Sequence, residues 1–182
     1  MEEEFYKLKD IDWVQSILKY LVSMEYRILG GAPRDLALGS ETFKDIDVFI
    51  SIYSKLNKNI SHIQEKLYNL TMDYTVHSSY NGDESTSELI PVVIKVGGLD
   101  IILYNVPLED IQDYFDYNIN QFELFGGKLP IYVGEGQITE LKTLKHARPN
   151  IDRVQRMAEM YGRHNEKFYD ISETSWRGRI TY

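Results

Sequence analysis

The chain has 182 residues, a formal net charge of −8, 43% hydrophobic residues, 14 tyrosines and no cysteine. That length suits one compact domain able to bury a proper core, and the missing cysteines exclude disulfides and thiolate metal sites. No apolar run is long enough to span a bilayer, and the acidic balance excludes a broad basic surface, so any nucleic-acid contact has to be local.

The opening Met1-Glu2-Glu3-Glu4 carries the wrong charge for a secretory or organellar leader, and a cysteine-free chain suits a reducing cytoplasm. Residues 10–23 read as an amphipathic helix with Ile11, Val14, Ile17, Leu18, Leu21 and Val22 on one stripe. Tyr26 to Leu29 form a short strand that runs into Gly30-Gly31. A helix over Ala32 to Leu38 follows and ends at Gly39. From Asp45 to Ser51 the residues alternate, with Ile46, Val48 and Ile50 on one face and Asp45, Asp47 and Phe49 on the other. A second amphipathic helix is expected over 59–70 and a strand from Thr71 to Ser79.

Ser79 to Glu88 is polar, contains Asn81-Gly82-Asp83 and reads as a loop. Pro91 to Val96 and Leu99 to Tyr104 flank Gly97-Gly98, a strong hairpin signal because glycine accepts positive φ. A short helix is expected over 107–115, and a second hairpin from Phe122–Phe125 and Leu129–Val133 around Gly126-Gly127. The pattern turns helical from Gly136 to Thr143 and again from Asn150 to Arg163. This order predicts an α+β fold: a mixed, largely antiparallel sheet, helices on one side and a short C-terminal helical extension. The boundary is placed between a head over 1–135 and a neck-like extension over 136–182.

Asp45 and Asp47, two apart on a strand, project from one face, and two such carboxylates repel unless cations sit between them. Magnesium takes such oxygen ligands and leaves room for substrate phosphates. Two ions roughly 4 Å apart can clamp both oxygens of an in-line phosphoryl displacement. Asp100, at the start of the second hairpin strand, is placed to add a third carboxylate. Gly30 and Gly31 offer bare backbone N–H groups between strand and helix, and Arg34, one turn on, can add a charge-assisted phosphate contact. Each element has a plainer reading as a solvated strand face, a tight turn or a polar hairpin residue. Their ordered spacing is what points to chemistry.

Residues 29–50, Leu-Gly-Gly-Ala-Pro-Arg-Asp-Leu-Ala-Leu-Gly-Ser-Glu-Thr-Phe-Lys-Asp-Ile-Asp-Val-Phe-Ile, resemble the signature of bacterial-type (class II) CCA-adding enzymes and poly(A) polymerases of the polymerase β-like nucleotidyltransferase superfamily. The resemblance implies a head of five or so strands in which Asp45 and Asp47 hold two Mg²⁺ and Asp100 matches a further acidic position. Residues 114–120, Tyr-Phe-Asp-Tyr-Asn-Ile-Asn, are similar to the family's Arg-Arg-Asp-Phe-Thr-Ile-Asn segment, with Asp116 and Asn120 on matching positions that contact the nucleotide's sugar and phosphates. Tyr114 and Phe115 stand where the family has two arginines. Residues 150–163 look like the family's base-reading helix, with Arg153, Arg156 and Arg163 in register and Pro149-Asn150 replacing a Glu-Asp pair.

Asn150 can still donate and accept, so base contact survives in principle. Arg153, Arg156 and Arg163 also lie together opposite Ile151, Val154, Ala158 and Tyr161, which equally suits a solvated basic face with an Asp152–Arg156 pair. His62, His77, His146 and His164 show no zinc or triad spacing, and the tyrosines read as packing. Lys142, Lys145, Arg148, Arg177 and Arg179 suit either a local RNA track or an ordinary surface.

The expected activity is metal-dependent, template-independent transfer of NMP from ATP or CTP to an acceptor hydroxyl, with pyrophosphate released. By resemblance the acceptor is an RNA or tRNA 3′ end. The chain runs on only to Tyr182 after Arg163, too short for the family's tRNA-holding helical body. It suits a compact version of the kind encoded by phage and mobile elements, or a protein or small-molecule acceptor, or a partner that supplies the missing surface. A non-catalytic NTP- or RNA-binding module is the remaining alternative.

Overall fold

In the computed structural model the described residues are 6–7, 10–21, 25–51, 56–77, 92–126, 129–147 and 150–173. The loop expected over Ser79–Glu88 lies outside them, as do Val22, Gly127, Arg148, Pro149, Arg177 and Arg179. The elements are β1 (Tyr6–Lys7), α1 (Asp10–Leu21), β2 (Arg27–Ile28), α2 (Gly31–Ala37), β3 (Thr42–Phe43), β4 (Ile46–Ser51) and α3 (Leu56–Asn69). They continue with β5 (Thr75–His77), β6 (Val92–Val96), β7 (Leu99–Tyr104), 3₁₀ turns at Leu108–Tyr114 and Asn118–Asn120, β8 (Phe122–Phe125), β9 (Leu129–Tyr132) and α4 (Ile151–Ser172).

A five-stranded sheet of order β2-β4-β7-β6-β5 forms the centre. Only β4 and β7 run parallel; the other neighbours are antiparallel. The fold is thus the α+β arrangement read from the sequence. Alternation divides the sheet's side chains between two cores. Val48, Ile50, Ile94, Ile101 and Leu103 meet α1 and α3 through Val14, Leu18, Ile63 and Leu67. On the opposite face Phe49, Val93, Ile102 and Tyr104 are capped by Val106, Ile111 and Val133. A third cluster joins the β8–β9 hairpin to α4 through Phe122, Tyr132, Met157 and Phe168. Among the described residues no helix is long and apolar enough to cross a membrane.

Several expectations change. The strand predicted from Thr71 is only Thr75–His77, because Thr71, at φ +54°, closes α3 instead. There the Met72 N–H donates to the Leu67 carbonyl at 3.1 Å, the bonding of a left-handed helix end. The helix predicted over Gly136–Thr143 is absent, because Asn118 claims the backbone groups it would need. Its Nδ2 donates to the Glu140 carbonyl at 2.9 Å and its Oδ1 accepts from the Lys142 N–H at 2.9 Å. The apolar stripe assigned to residues 150–163 also faces the wrong way. Ile151 and Val154 are exposed and Met157 is buried, since Arg153 turns inward to pair with Asp116. The helix itself runs on to Ser172, with non-helical backbone at His164.

Arg27 ties the sheet to the segments that follow it. Its Nε and Nη2 donate to Glu123 at 2.8 and 2.7 Å, and its Nη1 donates to Gln112 Oε1 at 2.6 Å and to the Leu108 carbonyl at 2.8 Å. Both side chains of the ion pair are largely buried, so removing one partner strands the other charge. Arg27→Ala is expected to lower stability by about 3–5 kcal/mol, and Arg27→Met with Glu123→Leu to recover most of it. Urea denaturation of both variants checks this; equal losses would mean that the pairing is not what matters.

Candidate active site

The parallel pairing of β4 and β7 sets Asp47 directly opposite Asp100. The β6–β7 hairpin sets Lys95 opposite Asp100, and β5 sets Thr75 opposite Lys95. One row of polar side chains therefore crosses four strands, on the face that also carries Phe49, Ile102 and Tyr104. Lys95 Nζ donates to Asp100 Oδ2 at 3.2 Å. Asp45 precedes β4 instead of lying on it, and it is exposed. Its placement corrects the sequence expectation of a strand beginning at Asp45.

The charges crowd one another. Burial first, then the neighbouring charges of Asp100 and Asp45, push Asp47 up to about 7, against the opposing pull of Lys95 and Arg153. Burial also raises Asp100; the Lys95 charge and hydrogen bond work against that, and Asp45 adds to it. Asp45 thus remains electrically part of the group despite its exposure.

Gly30 closes the other side of Asp47. It sits at φ +98°, ψ −135°, a backbone conformation open to glycine. Its N–H donates to the Phe122 carbonyl at 2.9 Å, and a Cβ built there would lie 3.5 Å from Asp47 Oδ2. The Leu29 N–H donates to the Asp47 carbonyl at 3.3 Å. The turn is therefore bonded to β4 on one side and β8 on the other, with main chain lying against the carboxylate.

Arg34 is buried and engaged inside the protein. Its Nε donates to Asp35 Oδ1 at 2.8 Å and its Nη1 to Asn120 Oδ1 at 2.5 Å. Asn120 Nδ2 donates to Asp116 Oδ1 at 2.8 Å, and Arg153 Nε donates to Asp116 Oδ2 at 2.6 Å. Burial opposes a charge on Asp116, but Arg153, Asn120 and the Tyr117 N–H together hold its carboxyl below the usual range. Asn150 caps α4, its Oδ1 accepting from the Arg153 N–H at 2.9 Å. Arg156 is exposed and outside this chain of contacts.

The structure thus brings Asp47, Asp100 and Gly30 together, with Asp45 and Arg153 within electrostatic reach. It links Gly31, Arg34, Asn120, Asp116 and Arg153 as a supporting wall, Gly31 lying against the Arg34 guanidinium. Tyr114 and Phe115, where arginines were the reference, pack as aromatics. Phe115 meets Phe49 at 5.5 Å between ring centroids, and Tyr114 stacks on His146 at 4.4 Å. Lys95 is the residue that sequence reasoning missed. Its signal was present, since a two-residue turn at Gly97-Gly98 places 95 opposite 100.

Among the described residues no three acidic or histidine side chains converge closely enough to hold an ion by themselves. Magnesium seldom asks for that; one or two carboxylates with substrate phosphates and water complete its octahedron. Asp47 and Asp100, side by side and mutually repelling, fit that requirement.

No family model matches the chain, and no curated protein matches it. Three solved chains do. One, described as "The complex structure of CCA-adding enzyme with CTP", is 16% identical with a TM-score of 0.40. The match covers 65% of this chain but only 29% of that one, so the protein spans under a third of that neighbour's length.

The elevated Asp47 carboxyl has a measurable consequence. Its folded value lies above the ordinary 3.8, so its charge destabilises the fold. The penalty is absent below about pH 4, grows between about pH 4 and 7, and is full above that. With EDTA present, Asp47→Asn is expected to be more stable than the parent by about 2 kcal/mol at pH 8, the gain vanishing near pH 4. Thermal melts across this range test it, and a variant equally or less stable at pH 8 contradicts the assigned repulsion.

Proposed function

We propose that the protein is a divalent-metal-dependent nucleotidyltransferase that moves NMP from an NTP, ATP or CTP, to an acceptor hydroxyl. The observation that carries this is the Asp47–Asp100 pair on adjacent parallel strands, with the Gly30 main chain against Asp47 and Asp45 beside them. Asp45 and Asp47 would hold two Mg²⁺, with Asp100 opposite Asp47 within reach of the same ions; their contribution is to neutralise the phosphates and align the attacking and leaving oxygens.

The acceptor oxygen attacks the α-phosphorus, the bond to the bridging oxygen breaks, and pyrophosphate leaves. The acceptor proton passes to a base, for which Asp100 is the candidate: burial raises its pKa above the ordinary carboxylate value. Gly31 would face the triphosphate with its main-chain N–H and Gly30 with bare main chain, its own N–H being held by the Phe122 carbonyl, and Arg34 would keep the turn in place through Asn120. Arg153, partly exposed and close enough for Asp47 to feel its charge, is the guanidinium best placed to meet nucleotide, with Asp116, Asn120 and Asn150 fixing its pose. Arg156 would contribute only at the rim. We place 1–135 as the head and 136–182 as its neck-like extension.

An RNA or tRNA 3′ end is the proposed acceptor. The net charge of −8 favours a second reading in which a protein or small-molecule hydroxyl takes the nucleotide, because acidic surfaces repel nucleic-acid backbones. Incubation with each labelled NTP, Mg²⁺ and either total RNA or a lysate separates the two: label on RNA supports the first, label confined to protein or metabolites the second. Asp47→Asn is expected to reduce transfer roughly a thousandfold, several kcal/mol of transition-state stabilisation, while staying folded. A folded variant with unchanged product formation would point to a non-catalytic binding module or to misassigned ligands.

A further inference from the structure

Lys95 lies outside the roles assigned above, yet its ammonium is in contact with the site. It stands opposite Asp100 across the β6–β7 hairpin and opposite Thr75 on the edge strand β5. Its Nζ lies 3.2 Å from Asp100 Oδ2. The two partners differ sharply in exposure: the Asp100 side chain is 7% exposed and that of Lys95 is 41% exposed. The carboxylate is fixed on a buried strand, whereas the ammonium reaches in from solvent on a flexible four-carbon stem. An opposite charge at that distance satisfies the buried carboxylate while still being able to leave.

Resting on the nucleotidyl-transfer reading, we propose that Lys95 is a tethered counter-ion: it holds Asp100 in place while the carboxylate face is empty and competes with a divalent cation for the same oxygens. Lys95 is a positioning residue in this scheme, since it acts through Asp100. Its neighbours on the strand face agree with that role. Thr75 and His77 bond each other at 3.1 Å on the exposed edge, so the ammonium has a solvent-facing, polar place to go when it leaves Asp100.

The test is Mn²⁺ binding to the full chain at pH 8 without nucleotide, read by the electron paramagnetic resonance of free Mn²⁺. Lys95→Met is expected to bind Mn²⁺ about tenfold more tightly than the parent. Lys95→Gln should do the same and guards against a fold effect of one replacement, while Lys95→Arg, which keeps the charge, should resemble the parent. Equal or weaker binding by both neutral variants overturns the proposal. Asp47→Asn separates the two levels of inference. If it abolishes Mn²⁺ binding while the lysine variants match the parent, the metal site stands and the role of Lys95 falls. If neither the parent nor any lysine variant binds Mn²⁺, both fall.

Discussion

Two carboxylates placed directly opposite each other on neighbouring strands, about 4.8 Å apart in the hydrogen-bonding direction, are an unfavourable pair. Asp47 and Asp100 are such a pair, and the surroundings are organised around tolerating it. Their register cannot easily relax. A slip of β4 by one residue would turn Asp47 into the face where Val48, Ile50, Ile101 and Leu103 meet α1 and α3, and would misplace Val48 and Ile50 onto the other face. The apolar alternation on the far face therefore fixes an electrostatic liability on the near one. Lys95 and Arg153 offset part of it, and Gly30 adds no Cβ where one would lie 3.5 Å from Asp47 Oδ2.

Around that pair runs a line of polar contacts, Asp35–Arg34–Asn120–Asp116–Arg153, that joins α2, the 3₁₀ turn at Asn118–Asn120 and α4. Arg34 and Asn120, at its middle, are buried, and a hydrogen bond between buried groups holds its surroundings more firmly than the same bond at a surface. The helices and turns that border the carboxylates are consequently held relative to one another by side chains, while the sheet is held by its core. A residue such as Asn120 then serves position first, and any contact with substrate has to come from what its amide has left over.

The sheet and its acids were legible in the sequence because both rest on period two. Ile46, Val48 and Ile50 against Asp47 and Phe49 identify a strand with one apolar face, and Gly97-Gly98 identifies the turn that sets the β6–β7 register. What failed was wherever a side chain competed with the backbone. Asn118 bonds the segment around Glu140 and Lys142 and prevents a helix whose periodicity was real. The inward face of α4 escapes the periodicity for a related reason: Arg153, half-buried, turns toward Asp116, and hydrophobic counting assigns an arginine to solvent. Arg34, expected from its position in the turn to meet phosphate, has its Nε on Asp35, its immediate neighbour, and its Nη1 on Asn120.

The charge balance at the site bears on how a substrate could enter. Asp45, Asp47, Asp100 and Asp116 gather near Lys95 and Arg153, leaving the face acidic before anything binds. A bare polyphosphate would meet this face with repulsion, and the Gly30–Gly31 main chain alone offers only partial positive charge. Divalent cations reverse the sign of that encounter, since they are attracted by the carboxylates and attract the phosphates in turn. On the proposed function, nucleotide and metal therefore depend on each other for binding, and the acidity that argues against a long nucleic-acid groove is, at these strands, a requirement of the chemistry.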